Sequence, residues 1–260
     1  MKLFFYNLIK YREYSWYSAI ALLREEVTGS FLNWLWWILD PLLFMMVYSF
    51  VALIVFGKGE PFFVPFVFIG YGMWQYFNRD ITSSVRLVWS NKKVLSRVYL
   101  PKYILLFARM FKNFIQMMIT LALGVIIGVF MHVPFTWRVL YIPYILLVSS
   151  IVVFGICTIV LHIGVYLADM RNIINILLRL VFYFSGVFYS IPNKVPAPWN
   201  RIVLYLNPAG LVINEMRKVM LYKSDPDLLM LTIWAFLGAM LSALGVHLIH
   251  KYEKNYVKAV

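Results

Sequence analysis

The sequence has little charge and a single cysteine for a chain of its length. Only 13% of the 260 residues are charged, while 63% are hydrophobic, and a soluble globular domain carries roughly a quarter charged residues. This composition excludes a soluble globular fold and predicts an all-α integral membrane protein. The one cysteine, Cys157, lies inside an apolar run, so no disulfide can form within the chain.

The sequence also lacks the motifs of the common catalytic classes. It contains no G-x-x-x-x-G-K-[ST] run, so we expect no nucleotide in the usual phosphate loop. His247 and His250 are too few ligands for a metal site. The eleven acids are spread thinly, which argues against the paired carboxylates of glycosyl transfer. Residues 1–30 mix charges with aromatics, so we expect no cleaved signal peptide. We therefore predict a chain with no catalytic residue, metal or cofactor of its own.

Six apolar runs are predicted to cross the hydrocarbon core of about 30 Å as helices. They cover residues 31–56, 61–81, 104–131, 139–168, 172–190 and 228–250. Residues 3–26 combine internal charges with an apolar stripe, which predicts a helix lying in the membrane interface; the stripe consists of Phe5, Ile9, Trp16, Ile20 and Leu23. Prolines leave the apolar pieces of residues 198–222 too short to cross, so we expect two short helices that dip into the outer leaflet.

The net charge of +13 is concentrated in loops that flank the predicted spans. Residues 79–112 alone hold eight of the 24 Lys and Arg residues, and by the positive-inside rule this loop and both termini face the cytoplasm. Because the basic residues do not line one soluble face, we expect no nucleic-acid binding. Five more lie between residues 194 and 223 on the predicted outer side. There they suit an anionic or phosphate-bearing ligand, or they anchor short helices at the headgroup level.

The basic loop contains an amphipathic segment. From residue 91 to 100, charges alternate with Val94, Leu95, Val98 and Leu100 at helical spacings, and Pro101 ends the pattern. A short helix parallel to the membrane is therefore predicted. Two interpretations stay open, because such a helix either rests on anionic lipid or binds a soluble partner.

Asp40 is a carboxylate inside the first predicted span. Such a group is costly in hydrocarbon and normally faces the protein interior with a partner. Two states are open for it, a neutral protonated acid and an ion pair with Arg179 of the fifth span.

Three stretches resemble ABC-2 type permeases that export polysaccharides. The run Asn91-Lys-Lys-Val-Leu-Ser-Arg-Val-Tyr-Leu-Pro101-Lys resembles the segment between their second and third spans, although Leu105 and Leu106 stand where relatives often have a second proline. Residues 166–174 resemble the junction of spans four and five, with Arg171 following the acid rather than preceding it. Tyr189, Pro192, Asn207-Pro208 and Arg217 match the pattern after span five.

The resemblance implies roles for these stretches. Residues 88–101 would form the coupling helix that inserts into an ATP-binding subunit, and residues 3–26 would frame the entry for a lipid-linked substrate. The implied docking residues are Asn91, Lys92, Lys93, Val94, Leu95, Arg97, Val98, Tyr99 and Pro101. The implied outer gate consists of Pro192, Asn207, Pro208 and Arg217. The predicted substrate path contains Trp34, Trp37, Asp40, Phe44, Tyr48 and Tyr189, whose aromatic rings stack on sugar rings or simply pack against lipid and core.

The assembly implied by the resemblance is a homodimer with two ATP-binding cassette subunits, which carry the ATP and Mg. It would move a lipid-linked polysaccharide, such as an O-antigen, capsular glycan or teichoic acid, across the cytoplasmic membrane. Two alternatives remain. An ABC-2 permease for a small lipophilic compound would lack a continuous polar and aromatic passage, and an integral membrane transferase acting on lipid-linked sugars would be active without any ATPase.

Overall fold

The described residues, 2–29, 31–50, 60–167 and 169–259 of a computed structural model, are helical with no strand among them, which confirms the all-α prediction. The helices are α1 (Lys2–Lys10), α2 (Arg12–Val27), α3 (Trp36–Phe50), α4 (Phe63–Val85), α5 (Leu87–Ser90), α6 (Lys92–Leu95), α7 (Lys102–Phe130), α8 (Ile142–Tyr166), α9 (Met170–Phe184), α10 (Ile191–Lys194), α11 (Trp199–Leu206), α12 (Pro208–Met220) and α13 (Leu228–Ala259). Short 3-10 turns at Asn33–Leu35 and Trp137–Tyr141 precede α3 and α8.

Three helical stretches among the described residues are long and apolar enough to cross a membrane: Lys102–Phe130, Trp137–Tyr166 and Leu228–Glu253. They coincide with the predicted spans at 104–131, 139–168 and 228–250, apart from residue 168, which lies outside the described residues. α4 is 23 residues long but carries Arg79 and Asp80 in its last two turns. Residues 51–56 of the first predicted span also lie outside the described ranges. The six-span arrangement therefore stays a prediction.

The core lies where α8 packs along α13 and where α4 packs between α7 and α8. Ile145, Val148 and Val152 of α8 are completely buried there. α8 and α13 approach closely at Gly155, where a methyl group would meet the Gly238 carbonyl oxygen at 2.6 Å. Small residues at such a crossing matter because packing contacts, and not exclusion of water, hold helices together in lipid.

The N-terminal segment departs from the single helix predicted at 3–26. It breaks at Tyr11 into α1 and α2, and α2 packs on α7 through Ser15, Ala19 and Leu23 at four-residue spacing. Leu23 belongs to the predicted stripe, whereas Ser15 and Ala19 do not, and their small side chains allow the close approach. The bulkier Phe5 and Trp16 stay outside, with more than half of each side chain exposed, as suits an interfacial helix.

The fifth predicted span, residues 172–190, also differs in the structure. α9 ends at Phe184 and has 15 residues, about 22 Å of helix. The chain turns at Gly186, whose φ of 63° lies in the left-handed region that favours glycine. The Tyr189 hydroxyl donates to the Tyr183 carbonyl at 2.7 Å and holds this turn against the helix end.

Candidate functional site

A cavity of about 1210 Å³ lies among α2, α3, α4, α7 and α9. We call it the central cavity. A smaller space of about 310 Å³ adjoins it beside Trp37 and Asp40 of α3. The two share Tyr71, Gln75 and Arg79 of α4, so α4 forms their common wall.

One face of α4 lines the central cavity. Tyr71, Gln75, Asn78, Thr82 and Arg86 follow one another at spacings of three or four residues, which places them on one side of a helix. The opposite side is apolar and buried in the core. This polar and aromatic stripe was the sequence signal for the cavity. The predicted substrate path, which combined residues of the first span with Tyr189, did not include it.

Six basic side chains line the central cavity against one acidic side chain, Glu26. We call the six the cationic zone; it consists of Arg79, Arg86, Arg109, Lys112, Arg171 and Arg179. They come from the last turns of α4 and the first three turns of α7 and α9. Their charges therefore concentrate at the end of the cavity where α4 ends and the other two helices begin.

Half of the cationic zone is already engaged with protein acids. Lys112 pairs with Glu26 at 3.0 Å. Arg79 donates to the Gln116 amide oxygen at 2.8 Å and lies 3.7 Å from an Asp40 oxygen. Behind them, buried Asp80 accepts from the Asn113 amide at 2.5 Å and interacts electrostatically with Arg79, Arg109 and Lys112.

The partner of Asp40 is Arg79. An ion pair of Asp40 with Arg179, one of the two states that the sequence left open, is not formed among the described residues. The Tyr71 hydroxyl also donates to the same Asp40 oxygen at 3.1 Å. The pairing follows from helix packing, because α3 packs against α4, which carries Arg79. Within the described ranges Arg86, Arg171 and Arg179 make no ion pair with a carboxylate.

An aromatic cluster lies at the other end of the central cavity. Four of its residues line the cavity, and two belong to the cluster without lining it: the first are Phe44, Tyr71, Trp74 and Phe182, and the second are Tyr48 and Phe188. Phe44 stacks on Tyr71 with ring centroids 4.1 Å apart, and Tyr48 stacks on Phe188 at 3.5 Å. Trp74 contacts Phe182 at 5.3 Å. The structure thus brings two of the predicted path residues, Phe44 and Tyr48, together with rings from α4 and from α9 and the turn that follows it.

The other predicted path residues lie elsewhere. Trp34 is 58% exposed in the turn before α3. Trp37 lines the smaller space, and its indole nitrogen has no hydrogen-bond partner among the described residues. Tyr189 packs against the small cluster of Ile191, Leu204 and Leu211 instead of lining the central cavity.

Arg217, predicted to belong to the outer gate, is a buried structural contact. Its guanidinium donates to the Phe66 carbonyl at 3.0 and 3.1 Å, to Gly186 at 2.7 Å and to Val187 at 2.6 Å. The absence of a side chain at Gly70 makes room for it, since a methyl group there would collide with the guanidinium. Arg217 therefore joins α12 to α4 and to the turn that follows α9.

Asn207 and Pro208 begin α12. The Asn207 side-chain oxygen accepts from the amides of Ala209 and Gly210 at 3.1 and 3.3 Å, and its amide donates to Ser185 at 2.9 Å. Pro208 occupies the first turn, where its missing N–H costs nothing. Pro192 holds the equivalent place in the single turn α10.

The predicted coupling helix at 88–101 is two single turns, α5 and α6, joined at Asn91. Val94, Val98 and Tyr99 are 42%, 60% and 68% exposed, whereas Leu95 packs partly against the core. The remaining predicted docking residues in the segment are Lys92, Lys93, Arg97 and Pro101. An apolar surface therefore stays uncovered within the basic loop.

The end of this segment is fixed to α13. Lys102 pairs with Glu253 at 2.8 Å, and the Tyr99 hydroxyl donates to the other Glu253 oxygen at 3.0 Å. Burial and the neighbouring Glu253 charge raise the pKa of Tyr99 to about 12, so this hydroxyl stays protonated at neutral pH. The basic loop is therefore connected to α13 through both oxygens of one carboxylate.

A bundle with apolar helices long enough to cross a membrane, packed around a polar cavity, defines a membrane transport protein of the permease class. The family model for the ABC-2 type transporter matches residues 8–221, so the chain belongs to the ABC-2 type transporter family.

Curated relatives agree with this assignment. An O-antigen export system permease protein RfbA of Myxococcus xanthus is 25% identical over 205 residues, which are 79% of each chain. Two proteins of that name from Klebsiella pneumoniae are 22% and 21% identical over 237 and 240 residues, 91% of this chain and 90% of theirs.

Proposed function

We propose that this chain is the membrane-spanning subunit of an ABC exporter that moves a lipid-linked polysaccharide. The central cavity is the observation that carries the proposal. Its aromatic cluster offers ring faces for sugars, and Asn78, Thr82 and Asn175 offer donors and acceptors for hydroxyl groups. The relatives are permeases named for O-antigen export, which is a polysaccharide of this kind.

The proposed arrangement has six spans, with both termini on the cytoplasmic side of the inner membrane. The basic loop supports this orientation through the positive-inside rule. Two copies would meet through α3 and α9, whose outward faces are apolar; Met46, Val47, Ile176 and Leu180 are each more than half exposed. This pairing would face two central cavities toward each other and enclose one path.

Energy would come from two ATP-binding subunits that hold ATP and Mg, because this chain has no phosphate-binding loop. The proposed contact is the surface of Val94, Val98 and Tyr99 in the basic loop. Its connection to α13 through Glu253 gives a route by which closure of the ATPase pair would move the bundle.

The cavity argues against a small lipophilic cargo. Such a compound would make no favourable contact with the six cationic side chains. Its binding would also be opposed by the free energy needed to remove water from them. A polymer with hydroxyl groups and a charged linkage uses both ends of the cavity.

Transport can be tested with the chain and its ATPase in liposomes. We expect ATP-dependent delivery of a lipid-linked polysaccharide to the lumen, detected with a lectin, and none with an ATPase that lacks its catalytic base. Delivery of a lipophilic dye instead of the polysaccharide would overturn the proposal.

Docking can be tested separately with Val94→Asp/Val98→Asp, a change that leaves the partly buried Leu95 in place. We expect loss of co-purification with the ATPase. Leu140→Asp is the matched control, because Leu140 is 76% exposed and lies at the opposite end of the bundle. Unchanged co-purification of the double variant would reject this docking surface.

A further inference from the structure

The cationic zone is not explained by a neutral sugar chain, which is recognised by hydroxyl partners and ring faces. We propose that the cationic zone binds the phosphoryl group, phosphate or diphosphate, that joins a glycan to its lipid. This inference rests on the proposed function, since it assigns one part of the same substrate to one end of the same cavity.

The first argument is the charge that protein acids leave unbalanced. Glu26 of α2, Asp40 of α3 and Asp80 of α4 interact with Arg79, Arg109 and Lys112. No carboxylate among the described residues pairs with Arg86, Arg171 or Arg179 on the side of α4 and α9. Three uncompensated guanidinium groups around one space favour an anion there.

The second argument is that Arg86 and Arg171 face each other across the cavity. Trp74 of α4 contacts Phe182 of α9, and Arg86 and Arg171 line the same cavity, so the two helices run antiparallel. Arg86 lies twelve residues after Trp74, which is about 18 Å along the axis of α4. Arg171 lies eleven residues before Phe182, which is about 16.5 Å along the axis of α9. The two are therefore at nearly the same depth, on opposite walls.

The third argument is that the side chains at the depth of Arg86 and Arg171 can hydrogen-bond to phosphoryl oxygens. A guanidinium presents a planar fork of N–H donors that matches two oxygens of a phosphoryl group. Thr82, Ser83 and Asn175 line the cavity between the two arginines and Arg179, and add neutral hydrogen-bonding groups. Arg179 lies deeper, about 4.5 Å from the level of Phe182. The three arginines form a series that leads from the mouth toward the aromatic cluster.

The position also suits the order of events. Arg86 and Arg171 are exposed at the end of the cavity that faces the cytoplasm in the proposed orientation. The charged group of a lipid-linked glycan would meet them first, and the aromatic cluster would then receive the sugars.

Binding can be measured on the intact chain in nanodiscs of zwitterionic lipid, with farnesyl diphosphate as the probe. Farnesol is the matched probe without the phosphoryl group, and inorganic pyrophosphate is the probe without the lipid. We expect farnesyl diphosphate to bind at least about tenfold more tightly than either, because charge-assisted hydrogen bonds and the lipid tail both contribute.

The variant Arg86→Gln/Arg171→Gln should lose about tenfold or more of that affinity. Arg86→Lys/Arg171→Lys should recover part of it, which a purely structural role would not produce. The control Lys251→Gln removes a positive charge from the exposed surface of α13, away from the central cavity, and should bind like the wild type.

Equal binding of farnesol and farnesyl diphosphate would overturn the inference, as would an unchanged affinity of the Gln double variant. Competition by phosphatidylglycerol at the same strength would also overturn it, because the zone would then be a general anionic-lipid surface. The assay needs no transport, so diphosphate binding without polysaccharide delivery would reject only the proposed function. Delivery with wild-type binding by the Gln variant would reject only this inference.

Discussion

Replacement of Arg217 by methionine should loosen the end of the bundle where α12 meets α4 and the turn after α9. Methionine fills similar volume but cannot donate to the carbonyls of Gly186 and Val187, which lie in a turn outside any helix. The Phe66 carbonyl lies within α4 and still accepts a backbone hydrogen bond of the helix. Loss of the Arg217 donor there is therefore taken to leave the free energy of unfolding unchanged.

The expected magnitude follows from those two carbonyls. Each buried acceptor left without a donor costs about 1–3 kcal/mol, which sums to about 2–6 kcal/mol. Removal of a fully desolvated charge returns part of this cost, so we expect a net loss of about 2–4 kcal/mol in the free energy of unfolding. Gly70→Ala should act in the same direction, because its methyl group displaces the guanidinium.

Two measurements would check this prediction. Thermal unfolding in detergent gives the stability, and hydrogen exchange reports opening of the turn at residues 185–190. Arg201→Met on the exposed side of α11 is the control, with an expected change within about 0.5 kcal/mol. If Arg217→Met keeps both the wild-type melting temperature and the protection of the turn, the structural role assigned to Arg217 is wrong.

Three further predictions concern other contacts. Glu253→Gln should cost about 3–5 kcal/mol because it leaves buried Lys102 without its counterion; a wild-type melting temperature would show that the pair is not formed. Asn207→Ala should cost about 1 kcal/mol and speed hydrogen exchange in the first turn of α12, whose amides it caps; unchanged exchange there would contradict the cap. The hydrogen bond from Arg138 lowers the pKa of Asp225, so the stability it contributes is present above the unfolded pKa of about 3.9 and disappears as pH falls through the lower folded value. Melting of wild type and Asp225→Asn across pH 7 to 3 should converge at the acid end, and a constant difference would contradict this.

Local features of the sequence were enough to locate most helices. The long apolar runs predicted α7, α8 and α13 because a helix in lipid must satisfy its own backbone and present apolar side chains. The prediction for the fifth span placed its end six residues late, since residues 185–190 carry no charge and the turn depends on Gly186 and on a contact from Tyr189. The N-terminal helical segment was predicted, and Leu23 of its buried face was in the predicted stripe. Ser15 and Ala19 of that face were not, because small residues that pack on a neighbour carry no hydrophobic signal.

The candidate site also combines residues that the sequence predicted with contacts that only the structure shows. Phe44, Tyr48 and Arg217 were singled out from the sequence, yet the role of Arg217 depends on carbonyls that lie 151, 31 and 30 residues away. The charges of residues 79–112 were visible as a topology signal, whereas their meeting with Arg171 and Arg179 was not.

The sequence by itself determined that this is a helical membrane protein, because composition and run length are properties of neighbouring residues, and three short stretches carried the resemblance to exporting permeases. Only the tertiary structure decided which cations lack an acid, which rings stack and which arginine holds the fold together. Those outcomes depend on distances between helices, and helix packing sets such distances without leaving a local pattern in the chain.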